Sequence, residues 1–240
     1  MKWKGEIMEK KTKQTPILWQ APKVMEEYLK GTYIIDLDSE VVRKTTREVI
    51  DGSKTPKEAA IRIFYFVRDE IKYALTPQLE KASAVIKRRT GYCVSKATAM
   101  VAMLRAANIP ARYHFASLKK ESVKGLMGRI GYWFMPKTIP GHSWAEIYLN
   151  GKWIEAEITL DKELHQVMKK KKIGMYEKED VELEIDWDGE HDQLPLPEFL
   201  VEDLGVYESP EEIVKKNWSA FWPLWQSLQN RNLKKIRHGS

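Results

Sequence analysis

Asn150-Gly151 stands between two alternating runs, His142 to Leu149 and Lys152 to Ile158, and this is the strongest constraint on how the chain can fold. A two-residue type I′ turn needs positive φ at both central positions, and Asn-Gly adopts that conformation readily. With these two as the loop, the register follows by counting. Leu149 faces Lys152, Tyr148 faces Trp153, Glu146 faces Glu155, Trp144 faces Glu157, and His142 faces Thr159. His142, Trp144, Glu146, Glu155 and Glu157 then share one face of the hairpin. Ala145, Ile147, Leu149, Ile154, Ala156 and Ile158 make the other, more apolar face. Diagonal cross-strand neighbours lie within reach of long side chains, so Glu157 belongs beside His142, and Glu155 is two pleats too far.

The single cysteine lies in Thr90-Gly91-Tyr92-Cys93-Val94-Ser95-Lys96-Ala97, at the head of a helix-periodic run ending at Asn108-Ile109-Pro110. Ala97, Met100, Val101 and Leu104 recur at three- and four-residue spacing and predict one buried helix face. Asn108 and Pro110 are stop signals. A thiol in the first turn of a helix meets the positive end of the backbone dipole, which favours the nucleophilic thiolate. A lone cysteine otherwise packs as a small apolar side chain. Together, Cys93, His142 and Glu157 make a candidate triad in which His142 takes the thiol proton and Glu157 fixes the imidazole.

At this point the residues resemble a family. Gly91-Tyr92-Cys93, Ala97, Leu104 to Tyr113, His142-Ser143-Trp144-Ala145-Glu146-Ile147-Tyr148 and Gly151-Lys152-Trp153 are similar, in that order, to the transglutaminase-like superfamily core. The resemblance covers residues 56 to 160. It implies a papain-like α+β fold with a nucleophile helix packed on an antiparallel sheet, with Cys93 as nucleophile and His142 as base. The family's acid is usually an aspartate followed by proline and threonine; here the position holds Glu157, followed by Ile158 and Thr159.

The chain has 240 residues, enough to bury a sizeable core. Three stretches are expected: 1–55 as an N-terminal arm and helices, 56–160 as the core, and 161–240 as a C-terminal extension packed on it. Residues 1–22 read as the arm. A short helix is expected over Lys23 to Lys30, an extended run over Thr32 to Leu37, and a helix from Asp38 or Ser39 to Ile50. Thr55-Pro56-Lys57-Glu58 is a helix start, with a cap and a proline at the first position. A short helix is expected around Ala82 to Arg88 and a strand over Ala111 to Leu118. Residues 119–140, rich in glycine, lysine and aromatics, read either as a lid or substrate wall beside His142, or as another strand or a flap packing its own aromatics. A helix is expected over Leu160 to Lys172, a linker at Leu194 to Pro197, and a capped helix from Ser209-Pro210. Trp218, Phe221, Trp222, Trp225 and Leu228 form a helical stripe that Pro223 interrupts. It reads as a docked face, or alternatively as a surface for a protein partner's helix or a membrane.

Lysine and arginine number 40 against 34 aspartates and glutamates, a formal charge of +6. The basic run Lys169 to Lys172 is followed by an acidic stretch, Glu177 to Asp192, expected to attract it, so a nucleic-acid partner is not expected. No stretch reaches the roughly 18 apolar residues of a membrane helix. Met1 to Lys13 lacks the apolar core of a secretory signal, and one cysteine allows no internal disulfide; both fit a cytoplasmic protein. His114, His142, His165, His191 and His238 show no ligand spacing, so neither a metal nor another cofactor is expected. The expectation is thiol-dependent hydrolysis of a peptide or protein amide through an acyl-enzyme. Transglutaminase-type transfer to an amine and a non-catalytic binding module are the alternatives. Gln78 is a candidate side-chain donor to the oxyanion beside the Cys93 backbone amide, and Tyr92, Trp133 and Trp144 are the aromatic substrate-binding candidates.

Overall fold

The cysteine run forms helix α4, Cys93–Ala106, and every residue from Val94 to Arg105 is buried. The periodicity predicted one buried face; the helix is covered all round. Helices α1 (Glu40–Ile50), α2 (Pro56–Tyr65) and α3 (Ala82–Arg88) pack on it, as does a sheet. A helix enclosed by both layers must satisfy its polar side chains internally. Arg105 does so by donating to the carbonyls of Lys30, Ala111 and Glu208, at 2.6, 3.0 and 2.8 Å. Asn108 takes a left-handed φ of 59° just beyond the helix. This computed structural model describes residues 19–177, 183–194, 197–217 and 219–238. Most of the expected arm, part of the acidic stretch, Pro195-Leu196 and Trp218 lie outside the described residues.

The four-stranded sheet runs β5-β4-β3-β6, with β3 Ala111–Lys119, β4 Thr138–Leu149, β5 Lys152–Ala156 and β6 Leu200–Tyr207, antiparallel throughout. As far as β5 extends, the register is the counted one: Leu149 opposes Lys152, Tyr148 opposes Trp153, and Glu146 opposes Glu155. The counted pairs Trp144–Glu157 and His142–Thr159 are not made, because β5 ends at Ala156 and the Glu157 amide bonds Gln193 O instead. Asn150 and Gly151 have φ of 52° and 87°, both positive as the turn requires. Strand β6 matches no expected element. Its pairing with β3 slips between Phe115 and Ala116, where Gly205 with φ 84° sits at a bulge, so its sequence shows no clean alternation.

Two short strands, β1 (Lys72–Tyr73) and β2 (Thr90–Gly91), pair in parallel just before α4. A Cβ on Gly91 would lie 3.0 Å from Ser95 Cβ and 3.2 Å from Lys96 Cγ, so only glycine lets β2 cross so close to the first turn of α4. Thr55 Oγ1 accepts from Glu58 N, as the cap predicts. Lys23–Leu29 is a 3₁₀ helix. Thr32 to Leu37 is a run of bends rather than a strand, because Thr32 turns its Oγ1 onto the Ile34 and Ile35 amides.

Residues 119–140 are not a simple loop. They hold a 3₁₀ turn, Lys120–Val123, helix α5, Gly128–Phe134, and the start of β4. Helix α6, Lys162–Lys171, begins at Asp161, whose carboxylate accepts from Leu164 N. The acidic residues Asp186 and Glu190 pair with Arg68 and Lys57. After α7 (Glu211–Lys216), helix α8 spans Trp222–His238. Pro223 lies in its first turn and starts the helix rather than interrupting it. No helix among the described residues is long and apolar enough to cross a membrane.

Candidate active site

Cys93 is the first residue of α4 and is half-buried. As the first helical residue, its amide has no intrahelical acceptor. The β1–β2 pair and a hydroxyl–carboxylate cluster hold this turn in place. Thr76 Oγ1 and Ser95 Oγ lie 2.8 Å apart, and both donate to Glu80 Oε1, at 2.6 and 3.0 Å.

His142 arrives from β4, and its Nε2 is hydrogen-bonded to Glu157 Oε2. Cys93 lines the same cavity and acts on the imidazole, and with Nε2 taken by Glu157, Nδ1 is the nitrogen left for the thiol. Burial works against a charge on the ring, but Glu157 and Cys93 outweigh it and raise the His142 pKa to about 10. Burial likewise disfavours the Glu157 carboxylate, yet the charge and hydrogen bond of His142 and the Thr159 amide hold its pKa below the usual value. Glu157 Oε1 accepts from Thr159 N at 2.7 Å, and its own amide is bonded to Gln193 O at 3.0 Å, so backbone contacts on both sides fix the carboxylate. Glu155 instead accepts from Trp144 Nε1 at 3.2 Å.

The three residues open into a cavity of about 320 Å³, walled mainly by carbon. Gln78 and Tyr92 line it. Gln78 Oε1 accepts from Ser219 N at 3.3 Å, which orients Nε2 as the free donor end of the amide, and the Tyr92 hydroxyl donates to Gln78 O at 2.5 Å. Trp133 and Trp144 do not line it. Trp133 lies on the outer surface of α5 with 75% of its area exposed. Trp144 stacks on His114 at 4.5 Å and reaches His142 only at a tilted 5.8 Å. Residues flanking the site in sequence can still point away from it.

Tertiary folding adds groups that spacing did not reveal. Trp222 and Trp225, at the start of α8, form part of the wall, and Trp222 Nε1 donates to Thr76 O at 2.6 Å. Residues 119–140, read from the sequence as a lid or wall beside His142, enter the wall through Leu126, Met127, Met135 and Ile139. Lys96, one turn beyond Cys93, is fully buried and donates to Arg68 O at 2.9 Å. Burial lowers its pKa to about 7 against the pull of Asp161, Glu157 and Asp69. On the sheet, His114, Glu146 and Glu155 converge within 4.8 Å of one another although no spacing links them. They already satisfy each other: His114 Nδ1 bonds Glu146 Oε1 at 2.6 Å, and Arg112 Nε donates to Glu146 Oε2 at 2.6 Å.

Residues 43–158 match the family model described as the transglutaminase-like superfamily. No protein of curated function matches the sequence. Among solved structures, a candidate cysteine protease from Cytophaga hutchinsonii is similar at 15% identity and a TM-score of 0.49, over 80% of this chain and 50% of that one. A candidate protease from Parabacteroides distasonis is similar at 14% identity and a TM-score of 0.36, over 55% and 25%. Red sea bream transglutaminase is similar at 14% identity and a TM-score of 0.35, over 56% and 26%. The chain therefore spans half the length of the first and about a quarter of the other two.

Proposed function

We propose, on the premise that residues 43–158 carry a transglutaminase-like core, that the chain is a thiol-dependent amide hydrolase. The observation that carries this reading is a buried imidazole hydrogen-bonded to a buried carboxylate, both sharing one cavity wall with the chain's single cysteine. Cys93 gives its proton to His142 and attacks the amide carbonyl. The developing oxyanion is met by the Cys93 amide and by Gln78 Nε2. His142 passes the proton to the leaving amine, and Glu157 balances the imidazolium while it is charged. A Cys93 thioester remains. Water, deprotonated by His142, releases the acid and restores the thiol. Glu157 takes the place of the usual aspartate, its Oε1 accepting from the Thr159 amide.

The test is covalent labelling with iodoacetamide followed by digestion of a peptide library, with and without added amine. Alkylation confined to Cys93 and lost in His142→Ala, with cleavage abolished in Cys93→Ala, supports the reading. Amine incorporation in place of cleavage assigns transfer instead. A Cys93 that reacts only after denaturation removes the enzyme reading and leaves the binding module.

A further inference from the structure

Resting on the reading of Cys93 as an acylated nucleophile, we infer that the acyl group it accepts is an uncharged apolar chain lying in the adjoining cavity. None of the residues lining that cavity is an aspartate, lysine or arginine. Its ionisable wall groups besides Cys93 are His142 and Glu157, paired with each other, His165, and two tyrosines. His165 Nδ1 is bonded to the Tyr176 hydroxyl at 2.8 Å. Nothing there offsets a charge on the substrate, and burying an unpaired charge is costly.

The polar wall atoms are mostly turned to one another. Gln229 Nε2 donates to the Tyr73 hydroxyl at 3.1 Å, the Tyr92 hydroxyl donates to Gln78 O at 2.5 Å, and Ser122 Oγ donates to Lys119 O at 2.9 Å. Among the described residues this leaves Thr159 Oγ1 and Gln229 Oε1 as the wall's buried side-chain atoms without a partner. What faces the space is carbon: Phe115, Leu126, Met127, Ile139, Trp222 and Trp225. A cavity of about 320 Å³ falls at the small end of ligand sites, suited to one acyl chain rather than to a folded peptide loop. The step itself balances. The Sγ–C bond forms as the acyl carbon's bond to its leaving oxygen or nitrogen breaks. The thiol proton reaches the leaving group through His142.

The experiment is acylation of the full chain by p-nitrophenyl acetate, butyrate and octanoate, read as adduct formation on Cys93 by intact mass. Full burial of a methylene is worth about fourfold, so octanoate is expected to outrun butyrate by at least tenfold. Met135→Trp, which fills the wall, should lower the octanoate-to-acetate ratio at least tenfold, and Ile139→Trp serves if that variant misfolds. Acylation by acetate as fast as by octanoate overturns the inference and leaves the nucleophile reading intact. If no ester labels Cys93, calorimetry with octanamide and butyramide on the wild type and Cys93→Ala decides. Tighter octanamide binding keeps the cavity's assignment and discards the nucleophile; equal or absent binding discards the assignment.

Discussion

Arg237, one residue before the last of α8, places its two terminal nitrogens on the two carboxylate oxygens of Asp161, at 3.0 and 2.5 Å. Asp161 is fully buried, and it also accepts from Tyr73 N at 2.9 Å and caps α6. This bidentate pair ties the C-terminal helix to β1 and α6, two elements that flank the site. Glu157 has no such guanidinium; its partner is His142. Two buried carboxylates four residues apart therefore have different tasks.

Removing Arg237 strands a buried charge. Arg237→Met is expected to cost about 3–5 kcal/mol, measured as a urea-unfolding free energy. Burial opposes the Asp161 charge, but Arg237 and the Tyr73 amide outweigh it and hold the pKa at about 2, below the ordinary 3.8. A carboxyl depressed in the folded state adds stability above its unfolded pKa and loses it as pH falls through the folded one. The wild type should thus lose stability between about pH 4 and 2, and Arg237→Met should lose less there.

Glu157→Gln should lower turnover by roughly 10²–10⁴-fold, because an amide can hold the imidazole but cannot balance its charge. Glu157 raises the His142 pKa, so its removal should move the alkaline limb of kcat/KM to lower pH. Glu157→Asp should keep part of the activity and lose the Thr159 amide contact. Glu155→Gln should stay near wild type, since its oxygen can still accept from Trp144. An Asp161→Asn variant that folds normally yet loses turnover as Glu157→Gln does would show that the wrong carboxylate has been named.

Lys96 is fully buried with its pKa lowered by burial, so its charge should cost stability where it stands. Lys96→Met is expected to stabilise by about 1–4 kcal/mol at pH 7. A lysine depressed to about 7 is neutral when folded and charged when unfolded up to its ordinary 10.5. The unfolded state then binds more protons, so wild-type stability rises across that window and the variant's advantage shrinks. Unfolding curves at pH 7 and 9.5 read this directly. An equal gain at both pH values would rule out the titration.

Residues 119–140 should respond to mutation in two ways. Leu126 is 1% exposed, and Leu126→Ala should cost about 2–5 kcal/mol. Trp133→Ser, on the exposed side of α5, should change stability by no more than about 0.5 kcal/mol. Thermal melts of the two variants check the pair. A large loss from Trp133→Ser would mean that α5 packs by its outer face.

What the sequence settled by itself was local. Turn chemistry at Asn150-Gly151 fixes the hairpin register, because positive φ at both residues allows one pairing, and counting from it reaches His142 and Glu157. Thr55, Pro56, Asn108 and Pro110 mark helix ends through hydrogen bonds and φ limits that act within a few residues. Tertiary structure decided the rest. Strand β6 exists because β3 offers it an edge, while its bulge erases the alternation that would have announced it. Trp133 and Trp144 turn away from the cavity although their neighbours in sequence approach it. Trp222 and Trp225 reach the site, and Arg237 reaches Asp161 beside it, only because α8 folds back across a long stretch of chain. Periodicity records which faces are apolar, but not which distant element covers them, and the walls around Cys93 are built from those distant elements.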